Sequence, residues 1–90
     1  MVVEILKLNN VNKNEGVIYY RRHYTAEAEI ELPNCVEKLP ISFTIETGPL
    51  GDKQFDIDFD PHRINYPLVP IKRALKEYIL NIDQLGALPL

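Results

Sequence analysis

The sequence predicts a two-layer α+β domain: an antiparallel β-meander followed by one C-terminal amphipathic helix, in the order β-β-β-β-α. Three observations carry this. Residues 41–60 (ISFTIETGPLGDKQFDIDFD) hold two runs of strict alternation around a turn-rich segment. Residues 17–32 form a longer run with the same period of two. Residues 70–85 instead repeat their apolar positions every three or four, the spacing of one helix face.

Residues 2–8 (VVEILKL) are aliphatic and predict a first strand, and residues 9–16 (NNVNKNEG), rich in Asn, predict a loop. In the long run, Ile18, Tyr20, Tyr24, Ala26, Ala28, Ile30 and Leu32 share one face. Tyr19, Arg21, His23, Thr25, Glu27, Glu29 and Glu31 share the other. Arg22 is the misfit of the inner set, so a bend or bulge is expected near residues 22–25. Pro33 and Asn34 end that strand. Pro40 marks the start of the next, because a proline lacks the donor that a central ladder needs. Ile41, Phe43 and Ile45 then face Phe55, Ile57 and Phe59 across the hairpin. Residues 61–69 predict a loop, with Pro70 in the first turn of the helix and Gly86 just past its end. Ile71, Ala74, Leu75, Tyr78, Ile79, Ile82 and Leu85 form its apolar stripe, and the tail 87–90 is expected to pack on a neighbour. A helix about 10 Å wide covers about three strands spaced about 4.8 Å apart. The remaining apolar surface predicts a second copy, a homodimer.

Ninety residues make a single domain, 1–90, with one modest core. An apolar fraction of 46% with 26% charged residues fits a folded rather than a disordered chain. Cys35 is the only cysteine, which excludes an internal disulfide and fits a reducing compartment. Glu4 and Lys7 interrupt the leading apolar run, and no uncharged stretch approaches the roughly 20 residues of a membrane span. A cytoplasmic protein with no membrane partner is therefore expected. The net charge of −3 is unevenly spread: residues 1–26 carry +2, residues 27–60 carry −7 and residues 61–90 carry +2.

Four groups of residues are candidate sites. Asp56, Asp58 and Asp60, with His62 beyond, have the chemistry of hard-cation ligands. Residues two apart on a strand lie about 6.7 Å from each other, so three such acids cannot converge on one ion. A solvated strand face explains them better than a metal, and no cofactor is predicted. Tyr19, Arg21 and His23 place aromatic and cationic groups on one strand face, as a surface that stacks bases would. Glu27, Glu29 and Glu31 on the same face oppose a phosphate backbone within a Debye length of about 8–10 Å. Lys72, Arg73 and Lys76, with Arg63 and His62 nearby, set cations against the helix macrodipole and form a candidate anion or nucleic-acid surface. Solubility accounts for them equally. Glu27, Glu29, Glu31, Asp56, Asp58 and Asp60 together, with Glu46 close, predict an acidic outer sheet face that recognises a partner with a basic surface, or a second copy.

Nucleophilic catalysis has no support: Ser42 is the only serine and no glycine-rich phosphate loop occurs. The sequence therefore predicts a small non-enzymatic interaction domain acting through the acidic sheet face and the basic helix end. A nucleic-acid module is the first alternative, and an enzyme centred on Asp56, Asp58 and His62 the second.

Overall fold

Strands β1 (Glu4–Lys13), β2 (Arg21–Leu32), β3 (Cys35–Thr47) and β4 (Lys53–Phe59) pair antiparallel in that spatial order. A 3-10 turn (Pro61–Arg63) leads to helix α1 (Leu68–Gln84), which lies on one face of the sheet. The computed structural model describes residues 3–14 and 20–88. This is the predicted α+β meander. Its 41 Å long axis reflects the β2–β3 hairpin, since twelve to thirteen residues extend about 40 Å.

The inner face follows the alternation. Tyr24, Ala26, Ala28, Ile30 and Leu32 on β2 are buried, as are Leu39, Ile41, Phe43 and Ile45 on β3. Tyr24 and Phe43, opposite each other in the register, stack with ring centroids 5.0 Å apart. Helix α1 adds Ile71, Leu75 and Ile79, each fully buried and four residues apart on one stripe. Gly86 takes φ +71° and lets its N–H reach the Asp83 carbonyl while Ala87 N–H reaches that of Ile82. These paired bonds close the helix's last turn and satisfy two carbonyls that would otherwise lack partners.

Several expectations are corrected. Residues 9–13, predicted as loop, continue β1, with Asn9 opposite Glu27, Asn12 opposite Thr25 and Lys13 opposite Tyr24. Asn10 makes this possible by taking φ +53°, a left-handed conformation that Asn tolerates and that absorbs the register shift between Asn9 and Asn12. The irregularity expected at residues 22–25 thus falls on the neighbouring strand, and β2 itself runs in unbroken register with β3. Tyr20, expected in the core, is 53% exposed in the turn before β2.

Strand β3 starts at Cys35, not at Pro40, after a two-residue turn at Pro33 and Asn34. Pro40 is tolerated within the strand because β4 ends opposite Ile41. Thr47 N–H donates to the Tyr20 carbonyl, so the odd residues of β3 turn their amides toward β2. Pro40, an even residue, turns its nitrogen toward the side where no strand lies. Leu85, assigned to the helix stripe, is 73% exposed at the C-cap.

The coverage shortfall is made up within the chain. Ile64 from the loop and Leu88 from the tail are both buried in the core, and Tyr66 and Leu68 pack against it. Both edge strands also approach α1, so the sheet curls around the helix rather than lying flat beneath it. The geometric reason for a second copy is therefore removed for the described residues.

Arg22 finds its reason here too. Its side chain, on the inner face, crosses to the end of α1 and donates to Asp83 at 3.0 Å. Lys53, at the start of β4, reaches the other Asp83 oxygen at 2.6 Å. Arg22 also donates to the Tyr24 hydroxyl at 3.2 Å. One carboxylate thus ties the helix end to β2 and β4.

Candidate protein-binding face

The outer face of the sheet has no covering element among the described residues. Pairing fixes its members. Rows run Glu4–Glu31–Val36, Lys7–Glu29–Lys38, Asn9–Glu27–Pro40, then Asn12–Thr25–Ser42–Asp58. Beyond them come His23–Thr44–Asp56 and Arg21–Glu46–Gln54. Seven carboxylates stand there against three cations, so the face is net acidic as predicted.

The acids do not form one patch. Glu27, Glu29 and Glu31 lie on β2, while Asp56 and Asp58 lie on β4, two strand spacings or about 10 Å away. The uncharged Ser42 and Thr44 of β3 sit between the β4 acids and β2. Glu29 is half-buried and already engaged: Lys7 lies 3.9 Å away, Asn9 donates at 3.2 Å, and Lys38 stands opposite. Asp56 and Asp58 are exposed, and among the described residues neither makes an ion pair. Asp60 is not on the face at all. It precedes the 3-10 turn, where its side chain accepts from the His62 amide at 2.9 Å.

The aromatic-cationic group is less free than its pattern suggests. Arg21 lies 3.9 Å from Glu46, and His23 Nδ1 shares a 2.8 Å hydrogen bond with the Thr44 hydroxyl. That bond accounts for Thr44 being buried on an otherwise wet face. Tyr19 lies outside the described residues.

The helix cations are all exposed but diverge. Lys72 stands 5.8 Å from the centroid of the Phe59 ring, a cation–π contact at the β4 edge. Lys76 lines, with Arg21, Lys53, Phe55 and Asp56, an open groove of about 420 Å³ around the same edge. Arg73 is exposed, and Arg63 and His62 belong to the 3-10 turn. The helix begins at Pro67 with no side-chain cap and no acid in its first turn.

Residues 1–84 match the model of a protein family whose name is a locus designation and states no activity. The chain belongs to that family. No curated protein and no solved structure matches it.

The chemistry this family member presents is that of recognition. Among the described residues no group of three or more His, Cys, Asp or Glu side chains is placed to hold a metal ion. The Cys35 thiol is pushed up, first by local desolvation and then by the Glu37 carboxylate 3.6 Å away, which works against a thiolate nucleophile. No described helix is long and apolar enough to cross a membrane. Two features escaped the sequence. The pairing of Lys7 and Lys38 with Glu29 needs the register of three strands. The Arg22–Asp83–Lys53 cluster left one trace, a cation on an apolar face, with nothing pointing to residue 83.

Proposed function

We propose that this protein is a non-enzymatic protein-binding module that docks the basic surface of a partner onto its uncovered sheet face. The observation that carries this reading is the pair of exposed, unpaired carboxylates Asp56 and Asp58 on a face where acids outnumber cations. A sheet face left open on a folded domain is a rigid platform, and a field of one sign accelerates encounter with the opposite sign. The same field disfavours a phosphate backbone, because Glu46 and Asp56 flank Arg21 and His23 in the register.

The test is capture from native extracts by the wild-type chain and by the Glu27→Lys/Glu31→Lys variant, with single-stranded oligonucleotides as a parallel ligand. The expected result is a protein retained by the wild type, lost from the variant, and released by moderate salt. Retention of oligonucleotides at low salt, with no charge-dependent protein capture, would replace this reading with the nucleic-acid one.

A further inference from the structure

The two edges of the sheet are unlike. Edge strand β1 is broken by register shifts between Ile5 and Lys7 and between Asn9 and Asn12, the kind of irregularity that keeps an edge from templating another strand. Edge strand β4 pairs without interruption from Phe59 opposite Ile41 to Lys53 opposite Thr47, and contains no proline. Among the described residues no other segment gives it a backbone hydrogen bond.

The direction of its free groups follows from the ladder. Thr47 N–H donates to Tyr20 at 2.9 Å, so residues 41, 43 and 45 also face β2. Ser42, Thr44 and Glu46 therefore face β4 and engage Asp58, Asp56 and Gln54. The N–H and C=O groups of Phe55 and Ile57 are left pointing outward.

Side chains along this edge are sorted by charge. Asp56 and Asp58 border it on the open face. Lys72 and Lys76 border it on the helix side, the first against the Phe59 ring and the second beside Phe55. Phe55 and Phe59 are only half-buried.

We propose that β4 accepts an extended segment of a partner protein as a fifth strand, the segment alternating basic and apolar residues. The inference rests on the protein-binding reading above and names the chemistry of the bound segment. Backbone groups of Phe55 and Ile57 supply the hydrogen bonds. Basic residues stand across from Asp56 and Asp58, and apolar residues extend the surface of Phe55 and Phe59. A slip of one residue would turn the basic side toward Lys72 and Lys76, so the charges fix the register. A second copy is a poor occupant. Centred antiparallel pairing of two β4 strands sets Asp56 against Asp56, and sliding it toward Phe59 sets Asp56 against Asp58.

The experiment is amide hydrogen exchange on the full chain titrated with a synthetic peptide of alternating lysine and valine that matches β4 in length. Saturation is expected to slow exchange at Phe55 and Ile57 at least tenfold, with Asp56 and Asp58 amides, already in the ladder, little changed. The Asp56→Lys/Asp58→Lys variant, checked for an unchanged thermal midpoint, is expected to lose at least tenfold in peptide affinity. Glu27→Lys/Glu31→Lys is expected to keep it within about twofold. Binding that leaves Phe55 and Ile57 unprotected, or that depends equally on Glu27 and Glu31, overturns the fifth-strand inference and leaves the acidic-face reading in place. So does absence of peptide binding by a chain that still captures its partner through Glu27 and Glu31.

Discussion

Asp83 concentrates the fold's electrostatics in one side chain that is only 5% exposed. Burial alone would raise its carboxyl, but hydrogen bonds from Lys53 and Arg22, with their charges, hold it below the usual carboxylate range. A carboxyl depressed by folding adds stability that is complete above the unfolded value and is lost as pH falls toward the folded one. Acid should therefore lower the thermal midpoint of the wild type between about pH 5 and pH 2, and lower that of Asp83→Asn less steeply. At neutral pH, Asp83→Ala should cost about 2–3 kcal/mol by chemical denaturation, because it strands two partly buried cations. A loss under about 0.5 kcal/mol would mean that the cluster is no stronger than a surface ion pair. Asn10 makes a second residue-scale case. At φ +53° a β-branched side chain is strained, so Asn10→Val should destabilise by about 1–2 kcal/mol while Asn10→Gly stays near neutral.

Legibility in the sequence differed from element to element, and the reason lies in how local each signal is. The 41–60 hairpin was legible because its alternation is dictated by one buried face, and that face is made by its own residues. Residues 9–13 were not, because Asn votes for a turn on local propensity while pairing with β2 decides the outcome. Pro40 was misplaced for a related reason: whether a proline fits mid-strand depends on where the neighbouring strand stops. The acidic face was legible as a parity, but the separation of its acids and the departure of Asp60 into a cap required the register and the loop. Helix α1 was legible at its C-terminal end, where Gly86 closes the paired capping bonds. Gly86→Ala should cost about 1 kcal/mol, read by denaturant titration, since a side chain is strained at φ +71°. An unchanged midpoint would show that the last turn is held by Asp83 rather than by the cap.

At the scale of the molecule, the question is what closes the inner face of a four-stranded sheet carrying a single helix. Width alone argued for a neighbour. The chain answers with two small plugs, Ile64 from the segment after β4 and Leu88 beyond the helix, 7% and 5% exposed respectively. Closure by plugs has a consequence that closure by a partner does not: the inner face should be dry in the monomer and wet once a plug is removed. The wild type is therefore expected to sediment as a 10.4 kDa particle at physiological salt. Leu88→Ala should lower stability by about 2–3 kcal/mol, the usual range for emptying a buried leucine site. Leu88→Asp, which also places a charge against the core, should bring concentration-dependent association and binding of an apolar dye. A wild-type dimer would point to a surface other than the helix-covered one, because that surface is filled from within. A Leu88→Asp variant that stays monomeric and dye-free would instead show that Ile64, Tyr66 and the helix close the core without the tail.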